Sequence, residues 1–390
     1  MKPLDEQVKG MTGVVALVRC PDYDEDRVFE AVGRGLELLG GAGRFVRDGE
    51  QILLKVNLLA GAEPDRVVTT HPSVLKAVAR HFDAAGARVS YGDSPGFGRP
   101  DAVARRAGLV QVAEELGLPM ADFTAGEIVS FPEGKFMHQF NIARGVRECD
   151  GLVSLPKMKA HQLTRFTGAV KNQFGCIPGL LKGEFHARMS DMDRFAQMLV
   201  DLNRLLRPRL FIMDAIVAME GNGPRSGKPR QVSALLLSDD PVALDTAACK
   251  MINLDPALVP TNTWGEKMGL GTCTSMKPVG DPLESFVVAD FDVNRKSGST
   301  TGTMNSFIAR LVKNLIVPRP VINASLCTRC GTCVRVCPAT PKAVDFRAAG
   351  RSLPPTYDYG ICIRCYCCQE LCPESAITVT TPPVGRLLHR

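Results

Sequence analysis

Residues 51–58, Gln51-Ile52-Leu53-Leu54-Lys55-Val56-Asn57-Leu58, and residues 71–91, His71-Pro72-Ser73-Val74-Leu75-Lys76-Ala77-Val78-Ala79-Arg80-His81-Phe82-Asp83-Ala84-Ala85-Gly86-Ala87-Arg88-Val89-Ser90-Tyr91, decide the fold class of this chain. The first stretch is an apolar run of strand length. In the second, Val74, Leu75, Val78 and Phe82 recur at helical spacing, Pro72 suits a first turn, and Thr70 is a candidate N-cap. Gly86 ends that helix and 87–91 resumes as a strand. A strand, a helix and a strand joined by short links predict an α/β fold, a mostly parallel sheet with flanking helices. The pattern extends both ways. Residues 13–18, 151–155, 210–218 and 232–237 read as strands, and 24–39, 191–206 and 241–252 as helices. The α/β domain is expected over 1–293. The strand order is not legible.

The 390 residues are 45% hydrophobic and 23% charged, enough chain for two or three domains of about 150 residues. Disorder is disfavoured, no run of about 18 apolar residues suggests a transmembrane segment, and 1–10 is too charged for a secretory signal. A net charge of +6 over this length is a mild bias, and aromatics are only 6% of the chain, so no nucleic-acid partner is expected. After residue 293 the texture changes. Residues 297–303 are a Ser/Gly/Thr linker. Residues 304–317 carry an apolar stripe that reads more simply as a connecting helix than as a peripheral membrane contact. The linker and helix together take 294–319.

Fourteen cysteines are the anomaly, and nine of them fall between Cys327 and Cys372. A disulfide framework would spread them through a small exported chain, so the clustering points to metal in a reducing, cytoplasmic setting. Residues 320–381 form an internal repeat: an apolar lead-in, a cysteine run, Pro, and a short β-like piece (343–346 and 376–379). The runs are Cys327-x2-Cys330-x2-Cys333-x3-Cys337-Pro338 and Cys362-x2-Cys365-x2-Cys368-x3-Cys372-Pro373. Zinc ribbons present separated cysteine pairs instead. The region closely resembles the bacterial-type ferredoxin domain, a small α+β module with two [4Fe–4S] clusters. In that domain the fourth cysteine of each run ligates the other cluster. The resemblance therefore implies one cluster on Cys327, Cys330, Cys333 and Cys372, and the other on Cys362, Cys365, Cys368 and Cys337. Cys367, a ninth cysteine, is expected to be a small buried side chain.

In the large domain, polar groups at strand carboxyl ends mark the usual ligand crevice of a parallel sheet. Lys55 and Asn57 end one strand, and Asp93 follows another. The densest segment, 155–188, sets Lys157, Lys159, Arg165, Lys171, Lys182 and Arg188 against Glu184 alone, with His161, Thr164, Thr167, Asn172 and His186 among them. Glycines at 168, 175 and 179 would let backbone amides approach a ligand. This suits an anionic molecule better than a plain surface, which mixes both signs. His161 and His186 are candidate catalytic groups or ligands, although lone histidines are more often structural. The candidate cofactor-binding set is Lys55, Asn57, Asp93, Lys157, Lys159, His161, Lys171 and Asn172. Neither glycine-rich piece, 92–98 or 221–227, fits a dinucleotide or P-loop spacing.

Lys55-Val56-Asn57, Gly92-Asp93-Ser94-Pro95, Lys157-Met158-Lys159-Ala160-His161, Thr167-Gly168-Ala169-Val170-Lys171-Asn172 and Glu220-Gly221-Asn222-Gly223-Pro224 resemble the family called domain of unknown function number 362, over about 53–254. The resemblance implies an iron–sulfur protein of anaerobic metabolism and no particular reaction. The expectation is a redox protein whose two [4Fe–4S] clusters exchange electrons with an anionic substrate, or with a further anionic organic cofactor, in the α/β domain. The alternative is a non-enzymatic ferredoxin-like carrier whose large domain docks a redox partner protein or senses a ligand.

Overall fold

The computed structural model describes residues 12–179, 181–189, 191–296, 313–347 and 349–388. The charged N-terminal 1–10, the 297–303 linker and most of the 304–317 stripe lie outside the described residues.

The central sheet contains β1 (Gly13–Arg19), β2 (Gln51–Lys55), β3 (Arg88–Gly92), β6 (Gly151–Ser154), β7 (Lys157–His161), β8 (Arg165–Thr167), β9 (Leu210–Glu220), β10 (Lys228–Ser238) and β11 (Met276–Gly280). Its order is β11-β1-β10-β9-β6-β2-β3, with β7 paired to β9 and β8 to β7. β2 runs parallel to β3 and β6, β6 to β9, and β1 to β11, while β10 is antiparallel to both neighbours. The sheet is therefore mostly parallel, as its βαβ spacing requires. A separate hairpin, β4 (Gly126–Ser130) with β5 (Gln139–Ala143), lies off it. Sequence periodicity missed that hairpin, because Glu127, Ile128 and Ser130 are all exposed and leave no alternating face.

The helix after β2 spans Pro72–Ala84 and buries Val74, Leu75, Val78 and Phe82. Its cap is His71, whose Nδ1 accepts the Ser73 N–H, and not Thr70. Thr70 is diverted: its Oγ1 accepts the Asn57 N–H at 2.8 Å and donates to the Leu155 carbonyl at 2.6 Å, tying the exits of β2 and β6 together. In register, Lys55 stands level with Gly92 on one side and Ser154 on the other. The carboxyl ends of three parallel strands thus finish on one line, and Asp93 begins where that line ends.

The C-terminal region repeats a smaller plan. β12 (Arg319–Ile322) pairs antiparallel with β15 (Ile377–Thr380), and β13 (Val344–Asp345) with β14 (Thr356–Tyr357). Cys333, Val344, Cys368, Cys372, Ala376 and Ile377 make its core. Between the two cysteine runs, Arg351 and Ser352 are exposed.

Candidate functional site

The two cysteine loops are built alike. Arg329 and Gly331, flanking Cys330, have φ of 59° and 74°, and Arg364 and Tyr366, flanking Cys365, have φ of 63° and 60°. Left-handed residues on either side of a thiol turn backbone N–H groups inward, the kind of nest that holds an anionic iron–sulfur cluster. Tyr366 adopts this conformation without the freedom of glycine; its ring is buried and its hydroxyl donates to the Pro318 carbonyl at 2.8 Å. Cys327, Cys330, Cys333 and Cys372 together wall one small cavity. That is the crossed set, three thiols from one run and the last from the other. Cys368 packs in the same core, with the Tyr357 hydroxyl 3.2 Å from its sulfur, and Cys337 accepts the Ala343 N–H. The donor set fits iron–sulfur clusters.

A cavity of about 420 Å³ lies where the strand ends of the sheet meet this module. The α/β side supplies Lys55, Asn57, Asp93, Lys159, Thr167, Lys171, Asn172, Lys182 and His186, and the cysteine module supplies Arg335, Cys337, Pro338, Cys367, Glu370 and Leu371. Of the candidates from sequence, Lys55, Asn57, Asp93, Lys159, Lys171, Asn172 and His186 line the cavity. His161 stands behind Glu370. Lys157 is not on the wall: its ammonium donates to Asp214 at 2.8 Å and to the Tyr23 hydroxyl at 2.6 Å. Tyr23 in turn stacks on His71 at 3.6 Å. Asp245, another carboxylate near a strand, accepts the Ala169 and Val170 N–H groups and caps the turn that carries Lys171.

A chain of hydrogen bonds fixes the floor. Lys55 Nζ lies 2.8 Å from Asp93 Oδ1 and donates to Asn172 Oδ1 at 3.0 Å. Asn172 Oδ1 also accepts from Asn57 Nδ2, and Asn57 Oδ1 accepts from Lys159 Nζ at 2.6 Å. Lys159 donates besides to the Val68 carbonyl, and Lys182 to Ser94 Oγ and the Ile177 carbonyl. Gly175 is required here, since a Cβ on it would stand 1.8 Å from Asp93 Oδ1. Burial pushes the Lys159 ammonium well below the usual lysine range, with Lys171 and Lys157 adding repulsion, and takes Lys182 down to about 7. The Lys171 ammonium has no hydrogen-bond partner among the described residues.

The module reaches back through Glu370, whose Oε1 lies 3.1 Å from His161 Nε2, at an angle too oblique for an aligned hydrogen bond. His161 Nδ1 accepts the N–H groups of Leu163 and Thr164, so the ring is the Nε2–H tautomer. A second proton would have to displace both backbone donors. Burial takes His161 to about 4, and His186, stacked 4.7 Å from Phe195, also to about 4. Both rings are therefore neutral near pH 7. Burial opposes the charge of Glu370, while the Nε2–H of His161 and the Lys171 ammonium facing it hold its carboxyl below the usual range.

Sequence reading missed Glu370 and Gln369. It also missed that residues 157–161 are a strand, because Lys157, Lys159 and His161 form a polar alternate face that is turned inward. The alternation itself was the available signal.

A family profile described as Domain of unknown function (DUF362) matches residues 52–250, and a 4Fe-4S dicluster domain matches 319–373. A thylakoid-associated protein of Synechocystis sp. is 37% identical over 280 residues, 71% of this chain and 87% of that protein. Two solved structures are more distant. The lactate racemase apoprotein of Thermoanaerobacterium thermosaccharolyticum is 14% identical over 61% of this chain and 56% of that one, with a TM-score of 0.39. A Thermotoga maritima protein is 12% identical over 65% and 60%, with a TM-score of 0.32. No described helix is long and apolar enough to cross a membrane. By profile and by sequence identity, the chain belongs to the DUF362 family and carries an iron–sulfur dicluster domain after it.

Proposed function

We propose that this protein is an iron–sulfur redox protein of the cytoplasm, in which the dicluster domain exchanges electrons with an anionic substrate or cofactor held in the cavity. Cys327, Cys330, Cys333 and Cys372 would hold one [4Fe–4S] cluster, and Cys362, Cys365, Cys368 and Cys337 the other. When bound, the clusters supply one-electron chemistry. One observation carries the reading: a single cavity is walled on one side by lysines of the α/β domain and on the other by Cys337, Pro338 and Cys367 of the cysteine module. A molecule bound there would lie beside a cluster ligand, and a plain carrier has no need of such a chamber.

In this reading Lys171 and Lys159 attract the anion, Asn57 and Asn172 hold Lys159 and Lys55 in place, and Glu370 with His161 sets the module against the strand ends. Neutral His186 and His161 serve packing and positioning better than proton donation, since each holds its second proton only near pH 4.

The test is anaerobic purification, mass spectrometry of whatever co-purifies, and cluster absorbance after adding that compound back. The compound should change the cluster oxidation state in the wild type and in Lys277→Ala, an exposed control. It should do so at least tenfold less effectively in Lys171→Ala. Equal responses in all three proteins would defeat the proposal.

A further inference from the structure

The cavity wall carries more lysines than buried carboxylates. Four lysines, Lys55, Lys159, Lys171 and Lys182, face two buried carboxylates, Asp93 and Glu370. Lys55 is matched by Asp93 at 2.8 Å. Glu370 faces His161 at 3.1 Å and acts electrostatically on Lys171. Lys159 donates only to an amide oxygen and a carbonyl, and Lys182 only to a hydroxyl and a carbonyl. Ammonium groups buried against neutral acceptors alone are costly, so burial holds both lysines below their usual range until an anion shares the site. The donors are also short of acceptors. Thr167 Oγ1, on a side chain 4% exposed, has no partner, and Thr167 sits directly opposite Lys159 in the β7–β8 register. Lys171 lies four residues further along. Leu59, Phe174, Val336, Pro338 and Leu371 give the wall its apolar stretches. The remaining charged residues of the lining, Glu184, Arg188 and Arg335, are exposed at the mouth.

We propose that the cavity recognises a doubly charged organic anion. Its head group, a phosphate monoester or a pair of carboxylates, is held by Lys159, Thr167 and Lys171, and its apolar body lies against Phe174, Val336 and Pro338 beside Cys337. This rests on the reading of the cavity as a ligand site and names the class of ligand. Two negative charges match the ammonium groups of Lys159 and Lys171, which a bound anion keeps protonated. A single carboxylate matches only one of them, and a neutral molecule neither. Charge-assisted hydrogen bonds in a dry site discriminate strongly on this basis.

The experiment uses the full-length, cluster-loaded protein in anaerobic calorimetry at pH 7.5. The probes are butyl phosphate, succinate, butyrate, butyramide and inorganic phosphate. At least one of the two organic dianions should bind ten-fold or more tightly than butyrate, with butyramide not binding. Butyl phosphate ahead of succinate identifies a phosphate head, and the reverse identifies a dicarboxylate. Butyl phosphate should exceed inorganic phosphate, because the apolar wall adds to it. Lys159→Met and Lys171→Gln should bring the dianion-to-monoanion ratio close to one at unchanged iron content, and Lys277→Ala should keep it. Butyrate binding as tightly as both dianions, or no dianion binding at all, overturns the proposal on wild-type protein alone. Dianions that bind in this order without altering the clusters would sink the redox reading and leave this inference standing. Cluster turnover with a neutral or singly charged compound would do the opposite.

Discussion

The Lys55–Asp93 pair is the most exacting point at which to test the site. Its side chains are 1% and 3% exposed and 2.8 Å apart. At an effective dielectric of about 20, two unit charges at that distance attract by about 6 kcal/mol. Desolvating each ion costs several kcal/mol, so the intact pair contributes little net stability over an apolar pair of the same shape. Breaking it is another matter. In Lys55→Met, Asp93 keeps only the Leu58 N–H at 2.7 Å for its second oxygen, and its first oxygen faces the methionine. In Asp93→Asn, the Lys55 ammonium keeps the Val56 carbonyl and Asn172 Oδ1, both neutral, at 3.0 Å. Each single variant should lose about 3–5 kcal/mol. The double variant should lose clearly less than the sum, giving a coupling energy of about 2–3 kcal/mol. The chain has one tryptophan, Trp264, on the α/β side, where its indole N–H donates to Asp193. Its fluorescence in urea therefore follows this domain, while visible absorbance follows the clusters. Single variants that cost under about 1 kcal/mol, or additive losses in the double variant, would refute the account of a dry, fixed cavity floor.

The other expectations concern the thiols and one lysine. Anaerobically prepared protein should contain about eight iron and eight acid-labile sulfides per chain, by chemical analysis. Cys372→Ser should damage the cluster of the first run; loss of only the second-run cluster would contradict the crossed ligand set, on electron paramagnetic resonance. Cys367→Ser should retain full iron, because all eight regular positions are filled without it, and iron loss equal to that of a ligand variant would refute this. Lys182, held near 7 in the fold against about 10.5 unfolded, binds fewer protons in the native state between those values. Its contribution is complete above about 10.5 and lost as pH falls through 7. Wild-type stability should therefore gain on Lys182→Met, by up to about 1.4 kcal/mol per pH unit, between pH 7 and 9.5 in urea titrations.

The βαβ plan was legible because apolar residues must recur at 2.0 or 3.6 spacing wherever one face is buried. The helix Pro72–Ala84 and strands β2, β3, β6 and β9 follow from that alone. The cysteine runs were legible because ligand spacing is local. Strand order was not, since nothing in β10 announces that it inserts antiparallel between β1 and β9. The site was half legible. Lysine density marked the region, but density does not say which ammonium finds a structural partner. Lys157 and Lys159 are two residues apart on one strand; a register shift between them sends the first to Asp214 and the second to Asn57. Glu370 could not be found from sequence, because its meaning depends on which domain faces it.

That facing follows from the repeat itself. A Cys-x3-Cys spacing puts about one helical turn between two ligands, so the residues between them are carried away from the cluster. In the second run these are Gln369, Glu370 and Leu371. Gln369 Nε2 donates to the Asn222 carbonyl and Oδ1 at 3.0 Å each, Glu370 meets His161, and Leu371 packs where a Cβ on Gly96 would come within 2.9 Å. In the first run they are Val334, Arg335 and Val336, and the last two stand at the cavity wall. Both turns of the duplication therefore front the same chamber. Their partners on the α/β side are coupled in turn: Gly223, beside Asn222, lies so close to the Ala160 carbonyl that a Cβ there would approach to 2.0 Å. The Asn222 turn and the strand that carries Lys159 and His161 cannot move independently. A displacement of the cysteine turns would thus reach the lysines through Asn222 and His161 together, and the distance from ligand thiols to the cavity is set by the same short segments that set the spacing of the cysteines.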